Sequence, residues 1–206
     1  MSELHDLINN NLIQGKIFFD KSLENLTWLK VGGKASCLYI PKNKEDLAVF
    51  LKHIDSNVRI SVFGRLSNVL IRDGGISGVT ILIPPSFSEI EIHKNNKITL
   101  GSGLLDKNVS QYAYDNNLGG FEFLSGIPGN IGGAIAMNAG CYGSEIKDIA
   151  DEVLILERDG ELKSYNNEEM NFSYRNSVIK ADQIIIEATF QGRHENKSNI
   201  KEKIDA

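Results

Sequence analysis

Residues Ser125 to Gly143 read SGIPGNIGGAIAMNAGCYG, six glycines in nineteen residues with one proline and two asparagines among them. Glycine tolerates positive φ and lets a backbone come close to whatever it packs on. A run this dense is either a set of tight turns and close strand contacts, or a surface that presents several N–H groups to a pyrophosphate or a flat ring. The residues alone leave both readings open.

On either side of this centre the pattern is α plus β. From Cys37 to Ile83 an extended CLYI is followed by a helix whose Leu47, Phe50, Leu51 and Ile54 share a face, then by the strands VRISVF and VTILI. EIEIHKNNKITL predicts a hairpin around Asn95-Asn96. A helix from about Leu105 places Leu105, Val109 and Tyr112 together and stops near Leu118-Gly119-Gly120. After the glycine-rich run, VLILERDGELKSYN predicts a hairpin turning at Asp159-Gly160, NNEEMNF a short helix, and QIIIEATF a buried strand.

The chain has 206 residues, 41% hydrophobic and 24% charged, enough for one large domain or two small lobes. Its formal charge of −5 and the lack of a Lys/Arg block argue against nucleic acid as a partner, because phosphate neutralisation needs clustered cations. Met1 to Gln14 never builds a continuous apolar stretch, so it reads as a short cytoplasmic helix rather than a signal or membrane segment. Cys37 and Cys141 lack metal-ligand spacing and are expected to stay reduced; His5, His53, His93 and His194 are isolated and read as surface residues. No metal site is expected. The polar tail from Glu195 to Ala206 predicts a helix with too few apolar residues for a core of its own.

Two further segments carry candidate chemistry. VFGRLSNVLIRDGG reads as strand, tight turn with Ser67 and Asn68, and strand, a layout able to hold phosphate oxygens on backbone and hydroxyl donors. It is neither the GxGxxG fingerprint nor a P-loop, and no helix follows it. Phe172-Ser173-Tyr174-Arg175-Asn176-Ser177 sets a guanidinium beside an aromatic ring and hydroxyls; a fixed arginine there can clamp a carboxylate or phosphate, while a solvated surface arginine is the plainer alternative.

In order and spacing these segments resemble the UDP-N-acetylenolpyruvoylglucosamine reductase family. The matching elements are Thr27 with Val31-Gly32-Gly33-Lys34-Ala35, Gly64 with Ser67-Asn68 and Asp73-Gly74-Gly75, the run from Ser125 to Ile146, and Tyr174-Arg175 with Ser177. The resemblance covers about residues 26–192 and implies an α+β, two-lobed FAD-binding domain of the vanillyl-alcohol-oxidase (PCMH) type. Lobe one would span about 26–84 and lobe two about 85–192, after an N-terminal segment 1–25. Residues 193–206 would begin a linker to a separate substrate domain.

The same resemblance implies FAD, with its pyrophosphate at Gly64, Arg65, Leu66, Ser67 and Asn68. The flavin would lie against Ser125, Gly126, Ile127, Pro128, Gly129, Ile131, Gly132, Gly133, Ala134, Asn138, Ala139, Gly140, Tyr142 and Gly143. NADPH would supply a hydride that passes by way of the flavin to a UDP-sugar enolpyruvyl ether. Arg175 would stabilise the enolate and Tyr174 would bind substrate, in a cytoplasmic monomer serving peptidoglycan precursor synthesis.

Two departures accompany the match. Leu66 stands where the family usually has a second glycine, a cost of about 1–2 kcal/mol if the left-handed region is required, which Arg65 can offset by meeting the pyrophosphate. The family's proton-donating serine and later glutamate have no match in the sequence, so this polypeptide is expected to bind FAD without completing turnover. A flavin-dependent oxidase on the same fold, or a non-catalytic flavin or nucleotide module, are the other readings.

Overall fold

The computed structural model describes residues 12–205. The helix expected over Met1–Gln14 falls almost wholly outside them. The described chain divides into two compact units, the first holding residues 12–87, 155–163 and 180–184, the second residues 88–154, 164–179 and 185–205.

Unit one is built on a four-stranded sheet. Strand β1 (Lys16–Ser22) pairs antiparallel with β2 (Lys34–Ile40). Helix α1 (Lys44–His53) leads to β3 (Ile60–Phe63), which runs parallel to β4 (Ile76–Leu82), giving the order β1-β2-β4-β3. The Asn43 side chain accepts the Asp46 N–H at 2.9 Å, and this N-cap starts α1 where the sequence turns amphipathic. Leu47, Phe50 and Leu51 are buried, and the Phe50 ring stacks on Tyr39 of β2 at 4.1 Å between centroids. Each such side chain removed from water contributes about 1.5–3 kcal/mol. The Asp46 carboxylate is buried with partners: it accepts from the Tyr39 hydroxyl at 2.7 Å and the Lys42 N–H at 2.8 Å.

Unit two carries a five-stranded sheet. Its elements are β5 (Ile90–Ile92), β6 (Lys97–Gly101), helix α2 (Asp106–Asp115), β7 (Leu118–Gly119), helix α3 (Ile131–Ala136), the pair β8 (Gly140–Cys141) and β9 (Ser144–Glu145), β10 (Ala150–Leu156), β11 (Leu162–Asn166), β12 (Ile184–Gln191), β13 (Arg193–His194) and helix α4 (Lys197–Asp205). The sheet order is β11-β10-β12-β6-β5. Asn95 and Asn96 both adopt positive φ, 60° and 58°, as the two-residue hairpin between β5 and β6 demands. Across β6 and β12 the Thr99 and Thr189 hydroxyls meet at 2.8 Å.

The structure departs from the sequence expectations in four places. β1 lies ahead of the lobe boundary drawn at Leu26; it is an exposed edge strand, so its place comes from pairing with β2 and not from an apolar face. The strand expected directly after the Ser67-Asn68 turn is absent over residues 69–72, where the Arg72 carbonyl is taken by the N–H groups of Gly33 and Gly75 in loop contacts. NNEEMNF is a single turn and not a helix: the Asn166 and Glu169 side chains each bond the other's N–H, at 2.9 and 2.8 Å, and Asn171 at φ 45° stops propagation.

The tail differs too. β13 pairs with β7, Ile200 of α4 is buried, and Lys203 approaches Glu122 at 3.4 Å, so residues 193–205 pack as part of unit two where a linker was expected.

Candidate functional site

The phosphate-turn candidates lie in unit one. Gly64 leads out of β3; Arg65 and Asn68 are exposed and Ser67 is half-buried. Leu66 has φ 53°, the left-handed conformation a glycine would take, and it is 4% exposed. Its side chain joins Leu23, Ala35, Leu38 and Ile71 in a buried cluster, which offsets the backbone cost by packing. The turn is tied to the preceding loop, since the Trp28 N–H donates to the Leu66 carbonyl at 3.2 Å. Thr27 is buried, and its hydroxyl donates to the Val31 carbonyl at 2.8 Å, fixing that loop. A Cβ on Gly33 would stand 2.1 Å from the Asp73 carbonyl, and one on Gly75 2.0 Å from that of Lys34. These two glycines therefore serve backbone-to-backbone packing.

Unit two holds the remaining candidates. The segment from Ser125 to Gly143 runs from a 3-10 turn at Glu122–Gly126 through α3 into the β8/β9 hairpin. Ile131, Ala134 and Asn138 are buried beneath it, while Gly126, Pro128, Gly133, Gly140, Tyr142 and Gly143 are exposed; Ser125, Ile127, Gly129, Gly132 and Ala139 are half-buried. A Cβ on Gly126 would meet Cys141 Sγ at 2.7 Å, so this glycine holds the two ends of the segment together. At Gly133 and Gly143 a Cβ would meet nothing within 4 Å. There the backbone is open to solvent.

Tyr174 and Arg175 form the tip of a tight turn in which Ser173 and Asn176 exchange backbone hydrogen bonds at 3.0 and 3.1 Å. Tyr174 is 90% exposed. Arg175, with φ 53°, occupies the turn position where glycine or asparagine is usual. Its guanidinium is exposed and makes no hydrogen bond or ion pair among the described residues. Leu66, Asn138, Tyr142 and Arg175 are four of ten non-glycine residues with positive φ among the described residues. Such strain concentrates at functional sites.

Three residues missing from the expected set, Ser102, Asp106 and Asn130, lie beside or within the glycine-rich segment. Segments 102–106 and 129–132 are zipped together: Gly132 N–H donates to Ser102 O, Ile131 N–H to Leu104 O, Asp106 N–H to Gly129 O, and the Asn130 side chain to Gly103 O at 2.6 Å. Ser102 Oγ, both Asp106 carboxyl oxygens and Asn130 Oδ1 are buried without a hydrogen-bond partner. Burial pushes Asp106 up to about 8, an effect the nearby Gly129 N–H only partly opposes. An acid at the first position of α2 reads from sequence as a response to the helix dipole, which hid it.

Burial also raises the Cys37 thiol to about 11, which leaves it unreactive. Among the described residues no three His, Cys, Asp or Glu side chains are grouped to hold a metal, and no helix is long and apolar enough to cross a membrane.

Comparison with known proteins gives this geometry a family. The model of the FAD binding domain matches residues 35–166. A UDP-N-acetylenolpyruvoylglucosamine reductase of Orientia tsutsugamushi (strain Ikeda) is 42% identical over 195 residues, covering 93% of this chain and 64% of that protein. One from Rickettsia canadensis (strain McKiel) is 42% identical over 189 residues, covering 92% and 64%. The chain thus spans about 64% of the length of the curated relatives it matches.

Among solved structures, the UDP-N-acetylenolpyruvylglucosamine reductase from Thermus caldophilus aligns with a TM-score of 0.80 at 27% identity, over 94% of this chain and 67% of that one. A cholesterol oxidase variant from Brevibacterium sterolicum aligns at 0.64 with 14% identity, over 88% and 38%, and shares the fold alone. The α+β architecture is that of the PCMH-type flavoenzymes, and the chain belongs to the FAD binding domain family.

Proposed function

We propose that this chain binds FAD and supplies the flavin side of the reduction of UDP-N-acetylglucosamine enolpyruvate to UDP-N-acetylmuramate, with NADPH as donor, in peptidoglycan precursor synthesis. The observation that carries this reading is the open backbone at Gly133 and Gly143 within the one long glycine-rich run of a chain whose relatives bear that name. Ser125 to Gly143 would lie along the ring system, and the Gly64–Asn68 turn with exposed Arg65 and Asn68 would meet the pyrophosphate.

When bound, the flavin supplies a hydride acceptor and donor between NADPH and the enol ether. The chain's own contribution is electrostatic. As hydride reaches the terminal enolpyruvyl carbon, negative charge builds toward the carboxylate, and the free guanidinium of Arg175 is suited to take that charge by two parallel hydrogen bonds. Exposed Tyr174 beside it would bind substrate. The proton that completes the lactyl ether has no donor among the residues proposed here. Residues 1–206 are therefore assigned cofactor binding and the carboxylate clamp, in a cytoplasmic monomer, without full turnover.

The test is NADPH oxidation by FAD-loaded chain, with and without the enol ether. The reading predicts no substrate-dependent turnover from residues 1–206. Sustained turnover would overturn the division of labour, and oxygen consumption without a nucleotide donor would replace the reductase by an oxidase.

A further inference from the structure

Asn138 was expected among the residues against the flavin, and its side-chain polar atoms are all committed within the protein. Both amide hydrogens are donated within the protein, to Glu145 Oε2 at 2.7 Å and to the Ser173 carbonyl at 3.1 Å, and its Oδ1 accepts the Lys147 N–H at 3.0 Å. Asn138 is 3% exposed and has φ 42°, a left-handed conformation that asparagine tolerates better than most residues. Its neighbour in this network, Glu145, forms an ion pair with the Lys147 ammonium and accepts its hydrogen bond, which raises Lys147 above the usual lysine range.

The Ser173 carbonyl it reaches is the one that closes the turn carrying Tyr174 and Arg175. A second bond holds the far side of that turn: Ser177 Oγ donates to the Ala136 carbonyl, at the end of α3, at 2.9 Å. Two side-chain bonds thus tie the Ser173–Ser177 segment to residues 136 and 138 of the glycine-rich run. Arg175 sits in a strained turn conformation, and its turn is closed by the Ser173–Asn176 pair and followed by a Val178 N–H donated to the Met170 carbonyl at 2.9 Å, so the two side-chain bonds are what fasten the turn to the glycine-rich run.

We infer that Asn138, with Ser177 as its second anchor, is a positioning residue that locks the Tyr174–Arg175 turn onto the glycine-rich segment. One buried amide then sets the place of the arginine relative to the backbone that follows α3. The geometric part stands on the hydrogen bonds alone; its consequence for substrate reduction rests on the proposed role of Arg175. A clamp that acts on developing charge tolerates little displacement, so a loosened turn lowers the rate more than it weakens ground-state binding.

Trypsin gives a direct readout, because the Arg175–Asn176 bond is itself a cleavage site at an exposed turn. N138G keeps the left-handed backbone and removes only the side-chain bonds; N138D keeps the Lys147 contact but sets lone pairs against Glu145 and the Ser173 carbonyl. Both are expected to be cut after Arg175 at least about tenfold faster than the parent, with cleavage at other sites and the far-UV circular dichroism unchanged, since opening of the turn is local. S177A should give a smaller increase at the same bond.

An unchanged rate at Arg175 in folded N138G would overturn the inference. If N138G is cut everywhere, S177A decides in the same assay, and an unchanged Arg175 rate there overturns it equally. The proteolysis needs no cofactor. A chain that retains no FAD would therefore undo the functional reading and leave the turn-locking result standing, while unaltered cleavage in a flavin-retaining chain would do the reverse.

Discussion

The Trp28 N–H donates to the carbonyl of Leu66, a leucine in the left-handed conformation, at 3.2 Å. This bond joins the Leu26–Val31 loop to the turn proposed for pyrophosphate, and it holds Leu66 where its side chain reaches the cluster of Leu23, Ala35, Leu38 and Ile71. The turn keeps a glycine-like backbone with a leucine side chain, and two opposing energies can be separated by substitution.

Leu66→Ala keeps the strained φ and loses the packing, so it should destabilise the chain by about 2–5 kcal/mol. Leu66→Gly loses the same packing but relieves the strain. It should therefore be more stable than Leu66→Ala by about 0.5–1 kcal/mol, the reverse of the usual order of alanine over glycine. Urea denaturation of the two variants checks the sign; a less stable glycine variant would mean that Leu66 bears no backbone strain.

Arg175 offers the complementary case. Its positive φ is stored at an exposed tip where the side chain makes no hydrogen bond or ion pair among the described residues, so Arg175→Gly should raise stability by about 0.5–1 kcal/mol in chemical denaturation. A residue that costs stability and is replaceable at no structural loss is consistent with retention for chemistry. A destabilised Arg175→Gly variant would show instead that the arginine is structural.

Asp106 predicts a pH dependence whose sign follows from its raised value. The unfolded carboxyl loses its proton near the ordinary aspartate value of 3.8, and burial moves the folded one up to about 8, so between those values the folded state holds more protons. Its stabilising share is complete below about pH 4, falls by up to about 1.4 kcal/mol per pH unit, and is gone above about 8. Asp106→Asn should match the parent near pH 4 and exceed its stability progressively toward pH 8, in guanidinium melts across that range. A constant difference between the two would show that Asp106 titrates normally.

The C-terminal helix α4 is expected to melt locally when its single buried residue is cut back. Ile200→Ala should cost about 2–4 kcal/mol and remove hydrogen-exchange protection from residues 197–205. Undiminished protection would mean that the Lys203–Glu122 contact and its neighbours hold the helix without the core.

How far the sequence could be read is clearest at particular residues. Asn95-Asn96 and the face of Leu47, Phe50 and Leu51 follow from local rules, turn chemistry and helical period, and both appear as expected. The left-handed backbone at Leu66 was legible as a missing glycine. What local rules could not supply was set by distant partners: β1 exists because β2 pairs with it. The same holds at the site. Arg175 could be picked out by type and neighbourhood, but the bonds from Asn138 and Ser177 that hold its turn cross 35 and 41 residues, and no spacing rule reaches that far.

The most direct test of the account is the visible absorption spectrum of the purified chain after FAD is added and the excess removed. A retained, protein-perturbed flavin band is predicted, since the glycine-rich backbone is open and Leu66 holds the left-handed conformation that a glycine would take. A folded chain that passes the same step with no flavin absorbance would contradict cofactor binding by these residues.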